Sequence, residues 1–188
     1  EEDQVSFASG PAVSRHGDLW QLGRHRLLCG DARSSIDFAM FTFAQSSGID
    51  DTMFRLAGQL TRLRGVLDRA QGSQTWAATK PLAAAGVELY ENRPGNGVRK
   101  VHHKLMVIDE QLLIVGSFNY TDPANTLNDE NIVVLGDLEE TDPAAIAAQK
   151  ELAAYALIEI ERIIAASRFL RVLARSSSAR PDTKENRV

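Results

Sequence analysis

The stretch Val101–Asn119, VHHKLMVIDEQLLIVGSFN, constrains the fold more than any other part of the chain. It reads as strand, tight turn, strand and then a glycine corner, with Asp109 at the turn and Gly116 at the corner. In the first strand His102 and Lys104 stand at i, i+2. Side chains alternate along a strand, so these two point the same way and His103 points to the other face. An imidazole able to act as a nucleophile, beside a fixed cation, forms a site that can attack a phosphoryl group and hold its charge. The remaining sequence has to build a sheet around this hairpin and complete that site.

Strand and helix signals alternate along the chain. Ile36–Ala44 (IDFAMFTFA) is apolar and aromatic, as expected of a buried strand. Asp50 or Asp51 is placed to cap a helix carrying Met53, Leu56, Ala57 and Leu60 at helical spacing. That period also admits Leu63 and Leu67, so pattern alone leaves residues 63–68 helical. The Ala-rich segment Gln74–Ala85 reads as a helix despite Pro81, and Val87–Glu91 as a strand. Arg93–Gly97 is a turn-rich loop leading into the hairpin. Asn131–Leu135 (NIVVL) reads as another buried strand. Asp142-Pro143 is a helix start, a cap followed by proline at the first helical position. Ala153, Ala156, Leu157, Ile160, Ile163 and Ile164 then form one apolar stripe that can pack on a sheet. This alternation predicts an α/β architecture, with a mixed, largely buried β-sheet flanked by helices. The domain expectation is an N-terminal extension over residues 1–31, a core over 32–167, and a basic then polar tail over 168–188. Arg26–Cys29 is a candidate strand within the extension.

Charge narrows the function classes. The net charge of −4 argues against a generally basic protein that coats nucleic acid. That average conceals an asymmetry. Arg62–Lys104 holds eight Lys/Arg against three Asp/Glu, whereas Leu105–Gln149 holds nine Asp/Glu and no Lys/Arg. An anionic substrate is expected from the first side. Cys29 is the only cysteine, which excludes an intrachain disulfide and a cysteine-based metal site. No metal or other cofactor is expected, since adjacent strand residues such as His102 and His103 diverge and no further His or Cys accompanies them. No apolar run reaches the roughly 18 residues of a membrane span. The acidic start Glu1-Glu2-Asp3 is no signal peptide, which suggests a cytoplasmic protein, although a chain that does not begin with Met can have been trimmed.

Written as a pattern, the central stretch is H-x-K-x4-D-x6-G-S-x-N: His102, Lys104, Asp109, Gly116, Ser117 and Asn119. It resembles the motif of the phospholipase D superfamily, and the resemblance extends from about Ala32 to Ile164. IDFAMFTFA resembles that family's first core strand, RGVLDRAQ (Arg64–Gln71) its second, and NDENIVVL (Asn128–Leu135) the segment after the motif. On that basis a strand is placed at Leu63–Asp68. Separately, Gly17–Ala32 (GDLWQLGRHRLLCGDA) resembles a segment preceding the catalytic domain of certain bacterial DNA methyltransferases. None of that enzyme's cofactor or catalytic motifs follows.

The superfamily resemblance implies a phosphodiesterase acting through a covalent phosphohistidine. His102 would displace an alcohol from the phosphodiester, and water would then hydrolyse the intermediate. Lys104 would hold the non-bridging oxygens, Asn119 would donate its amide, and Ser117 its hydroxyl or backbone N–H. Glu130 stands where the family has a carboxylate that hydrogen-bonds the catalytic histidine. Asp109 is expected to support the turn rather than touch substrate. Ser117 as a triad-type nucleophile is disfavoured, because no G-x-S-x-G elbow surrounds it. The departing alkoxide needs a second acid–base group. The family's single-motif members form homodimers in which a second motif supplies it, and this chain has one copy. The compact chain most resembles the superfamily's small bacterial endonucleases, so DNA or RNA is the expected substrate. Hydrolysis of phospholipid head groups and an inactive phosphate-binding or scaffold module are the alternatives. Trp20 and Trp76 are read as core or rim residues. The interleaved Arg168, Phe169, Arg171 and Arg175 are read as a basic helix end.

Overall fold

The computed structural model describes residues 33–170 in full and residues 19–22 and 25–28 through their backbone. Leu19–Leu22 (β1) and His25–Leu28 (β2) pair antiparallel as a ribbon of their own, Leu19 opposite Leu28. The strand expected at Arg26–Cys29 thus begins one residue earlier. The lead-in to residue 17, Cys29, Arg171, Arg175 and the polar tail from Ser176 lie outside the described residues.

The main body is a seven-stranded mixed sheet. Its strands in chain order are Ser35–Met40 (β3), Arg62–Leu67 (β4), Glu88–Asn92 (β5), Lys104–Ile108 (β6), Leu112–Gly116 (β7), Ile132–Leu135 (β8) and Ser167–Phe169 (β9). In space they run β8-β7-β6-β3-β4-β5-β9. The pairs β3–β4 and β4–β5 are parallel and the others antiparallel. The helices are Ile49–Leu56 (α1), Arg69–Gly72 (α2), Thr79–Ala84 (α3), Asp122–Thr126 (α4) and Pro143–Ala165 (α5). No helix among the described residues is long and apolar enough to cross a membrane.

Alternation along β3 divides the core. Ile36, Phe38 and Met40 face one layer with Met53, Leu82, Val87 and Leu89. Ala39 faces the other, with Val66, Leu105 and Val107, against Ala153, Ile160 and Ile163 of α5. Since β3 is central and covered on both faces, all six of its residues are buried. The Phe38 ring lies across its register partner Gly65, where a Cβ would fall 2.2 Å from a ring carbon. Only glycine leaves room for that ring. The α5 stripe packs as its spacing predicts, and Asp142 caps it by accepting the Ala144 N–H at 3.1 Å ahead of Pro143.

Several expectations need correcting. The segment expected as strand at Leu63–Asp68 is strand over Arg62–Leu67, as the family resemblance implied and the helical period did not, with Asp68 left to cap α2. The expected strand Ile36–Ala44 starts one residue earlier and ends at Met40; Phe43 and Ala44 make isolated bridges to Tyr120 and Ala77. Neither Asp50 nor Asp51 caps α1. Gly48 occupies that position in the left-handed region, and the buried Asp50 accepts the Ser47 hydroxyl at 3.0 Å. The expected helix Gln74–Ala85 is broken. Asp68 caps the short α2, the chain turns through residues 73–78, and α3 then tolerates Pro81 in its first turn, where no intrahelical N–H is needed. The stretch NIVVL is strand from Ile132 but not buried, because β8 is the sheet's outer edge and Val133, Val134 and Leu135 are 38–52% exposed. Arg168 and Phe169 belong to β9, not to a helix end: they pair with Glu91 and Tyr90, and the Arg168 guanidinium holds the buried Glu91 at 3.0 Å. The sheet therefore continues beyond the expected core limit at residue 167.

Candidate active site

Chain direction gathers the motif at one rim of the sheet. Because β6 is antiparallel to β3, its first residue Lys104 lies opposite Met40 at the end of β3. The hairpin turns the chain back, so Gly116 at the end of β7 lies beside the start of β6 and opposite Ile132, the first residue of β8. His102, Lys104, Gly116, Ser117 and Asn119 line one open recess of about 400 Å³.

His102 lies just ahead of β6 rather than within it. The ladder nonetheless extends to it on both sides: Phe41 N–H donates to His103 O at 2.8 Å, and Val101 N–H donates to the Asp68 carboxylate at 3.2 Å. Lys104 Nζ stands 3.5 Å from His102 Nε2 and donates to the His102 carbonyl at 3.1 Å. The expected pairing of the two side chains thus holds despite the shorter strand. His103 points the other way, its Nε2 3.2 Å from Glu159 on α5.

The Phe41 ring packs against the His102 imidazole with centroids 4.5 Å apart, and it carries the Lys100 and Lys104 ammonium groups at 5.2 and 4.9 Å. One aromatic face thereby orients the imidazole and both cations. Desolvation, then the charges of Lys104 and Lys100, push the His102 pKa below its usual value, against a smaller opposing pull from Asp68. This shift favours the neutral imidazole, the form able to attack. Burial lowers the Lys104 pKa, with Glu130 opposing.

Gly116 has a steric reason to be glycine. A Cβ there would fall 2.1 Å from the Asn131 carbonyl oxygen, a backbone atom fixed where β7 meets β8. Ser117 is committed to the same junction. Its N–H donates to Asn131 O at 3.1 Å and Oδ1 at 2.8 Å, its hydroxyl donates to Glu130, and Asn131 N–H donates back to that hydroxyl at 3.0 Å. Both groups that Ser117 is expected to offer substrate are engaged by neighbouring residues in the free chain, although Ser117 lines the recess. Glu130 likewise accepts from Ser117 and, at 3.1 Å, from Asn128, in place of the His102 contact that the family pattern implied. Asn119 lines the recess, and its buried amide oxygen has no hydrogen-bond partner among the described residues.

Asp109 lies at the far end of β6, about 16 Å from Lys104 at the usual strand rise. It accepts the N–H groups of Arg33, Ser34 and Ser35 at 2.7–2.8 Å and the Ser34 hydroxyl at 3.0 Å. It is a structural clasp between the hairpin and the entry to β3. Phe41, Lys100, Asp68 and Asn131 were not singled out from the sequence. Phe41 is indistinguishable by pattern from the core aromatics around it. Lys100 carries a signal in the Arg99-Lys100 pair just before His102. Among the described residues no group of three or more His, Cys, Asp or Glu is arranged to hold a metal ion.

Residues 28–151 match the family described as cardiolipin synthase, PLD-like domain. The chain belongs to the phospholipase D-like family. Mitochondrial cardiolipin hydrolase of Chlamydomonas reinhardtii is 32% identical over 100 residues, 53% of this chain and 43% of that protein. The chain thus spans less than half the length of that relative. Among solved structures, the phospholipase D family member Nuc of Salmonella typhimurium superposes with a TM-score of 0.62 at 22% identity, covering 76% of this chain and 85% of that one. NucT from Helicobacter pylori superposes with a TM-score of 0.59 at 14% identity, covering 72% and 81%. At these identities the two structures share the phospholipase D-like fold.

Proposed function

We propose that this chain is a phosphodiesterase that cleaves DNA or RNA through a phosphohistidine, as a homodimer whose two motifs share one active site. The observation that carries the reading is the convergence of His102, Lys104 and Asn119 on one recess. In the first step a His102 nitrogen forms a bond to phosphorus as the bond to the leaving oxygen breaks. Lys104 and the Asn119 amide stabilise the charge developing on the non-bridging oxygens. Facing each other in one site, the two His102 rings titrate as a coupled pair that shares one proton, so the partner subunit's His102 enters as imidazolium and gives that proton to the departing alkoxide. In the second step that imidazole, now neutral, takes a proton from water as the oxygen attacks phosphorus and the N–P bond breaks. Both histidines return to their starting states. Phe41 and Asp68 act as positioning residues for His102. The catalytic unit is assigned to residues 32–167 together with β9.

The basic segment supports a nucleic-acid substrate: Arg69, Arg93, Arg99 and Lys100 are exposed, and no carboxylate among the described residues pairs with them. The similarity to a cardiolipin hydrolase supports a second reading, hydrolysis of a lipid phosphodiester. Incubation with plasmid DNA, RNA and cardiolipin vesicles in EDTA separates the two. Cleavage of nucleic acid that persists in EDTA and disappears with His102→Ala is the expected result. Release of lipid product with nucleic acid left intact would replace the first reading with the second. Full activity in His102→Ala would sink both.

A further inference from the structure

We propose that a second recess, lined by Arg69, Arg93 and Arg168, binds a phosphate of the nucleic-acid backbone other than the one being cleaved; this rests on the nuclease reading above. The recess has a volume of about 340 Å³ and is walled by the turn-rich loop around Pro94–Asn96, with Asn92 in its lining. Three arginines border it. Arg168 is tied to Glu91, whereas Arg69 and Arg93 have no carboxylate partner among the described residues. Planar guanidinium forks match phosphate oxygens in geometry as well as charge.

The recess is built rather than incidental. Asn92 is buried, and both ends of its amide are used: Oδ1 accepts the Arg69 N–H at 2.8 Å, and Nδ2 donates to Val98 O at 3.0 Å. This fixes the base of Arg69 and the return of the loop carrying Arg93. The recess is also registered to the active site. Asp68 precedes Arg69 and accepts the N–H of Val101, which precedes His102. Arg69 and His102 therefore flank a single hydrogen bond between two otherwise separate segments. A polyanion occupying both recesses would be held at a fixed offset from the nucleophile. The lining is polar and cationic, which suits a repeating phosphate chain rather than an acyl chain.

The test compares the full-length wild type with Arg69→Ala/Arg93→Ala and Arg69→Lys/Arg93→Lys. Arg168 is left intact, because its loss would strand the buried Glu91. The probes are a labelled single-stranded oligonucleotide, bis(4-nitrophenyl) phosphate as a diester whose single phosphate cannot occupy both recesses, and cardiolipin vesicles. The alanine pair is expected to raise KM for the oligonucleotide on the order of tenfold. It is also expected to reduce the slope of log affinity against log salt by about 0.7 for each phosphate no longer neutralised. Hydrolysis of the small diester stays at the wild-type level, and the lysine pair retains the salt slope. An unchanged KM and slope, with the wild type cutting the oligonucleotide, overturns the recess alone. Oligonucleotide binding that falls in the alanine pair, when the wild type binds without cutting, upholds the recess and removes the nuclease reading. Wild type that neither binds nor cuts the oligonucleotide overturns both, as does a variant that loses only vesicle binding.

Discussion

At the scale of single residues, the surroundings of the His102 imidazole favour its neutral form. Its pKa lies below the usual histidine value of 6.5 through desolvation, then Lys104 and Lys100. Attack requires the neutral ring, so the acid limb of kcat/KM is expected below pH 6.5. Lys100 lines neither the candidate site nor the basic recess, yet its charge contributes to that displacement. Lys100→Gln should therefore move the acid limb to higher pH while the small diester is still cleaved at the optimum. A pH profile of bis(4-nitrophenyl) phosphate hydrolysis measures it, and an unmoved limb would refute the electrostatic account. Gly116 makes a second prediction. Its added Cβ would meet backbone, not a side chain that can swing away. Gly116→Ala should cost about 1–3 kcal/mol in thermal or urea unfolding. It should also lower kcat, because separating β7 from β8 displaces Asn119 downstream.

At the scale of elements, the hairpin of β6 and β7 is tied to β3 by one carboxylate. Asp109 and Glu110 both have positive φ, 52° and 56°, as a two-residue turn matching strand twist requires. Burial alone would raise the Asp109 pKa, but the N–H groups of Arg33, Ser35 and Ser34 outweigh it and hold the carboxyl below its ordinary 3.8. As pH falls, the unfolded chain therefore takes up this proton first. The stabilisation is complete above that ordinary value and lost as pH drops through the lower folded one. Asp109→Asn tolerates the positive φ and removes the titration, so its stability should fall less steeply below pH 3.8 than that of the wild type. Asp109→Ala should lose about 1–3 kcal/mol at neutral pH, through unpaired backbone donors, with kcat unchanged. Acid titration of unfolding free energy tests both. The clasp also shows where sequence is informative. Asp109 at a turn is readable from its neighbours, and α5 from its cap and stripe. The site was legible as residue types at fixed spacing, because the hairpin brings His102, Lys104 and Gly116 together locally. Hydrogen-bond direction was not: whether Ser117 and Glu130 serve substrate or each other depends on Asn131, which the register of β7 against β8 brings in. Burial of β8 failed for a related reason. An apolar run such as NIVVL reports a strand's faces, not whether another strand or helix lies against them.

At the scale of the whole molecule, the proposed mechanism leaves a single recess chemically incomplete. That recess presents one imidazole suited to attack, whereas departure of the alkoxide requires a separate proton donor. His103 cannot supply it, since it faces Glu159 on the opposite side of the strand. Among the described residues, Glu130 is engaged with Ser117 and Asn128, and Asp68 with Val101 and the start of α2. A second copy of His102 answers the need, and the recess opens to solvent at the rim of the sheet, where another subunit can approach. If each active site requires both copies, a subunit lacking its imidazole spoils the wild-type subunit with which it pairs. His102→Ala protein mixed in excess with wild type, after subunit exchange, should lower activity per wild-type chain in proportion to the wild-type fraction. Should each subunit instead work alone, that activity stays constant at every mixing ratio. Sedimentation at the assay concentration supplies the independent check, with dimer expected for both the wild type and the variant. A monomer retaining full activity would require the proton donor to lie within one chain.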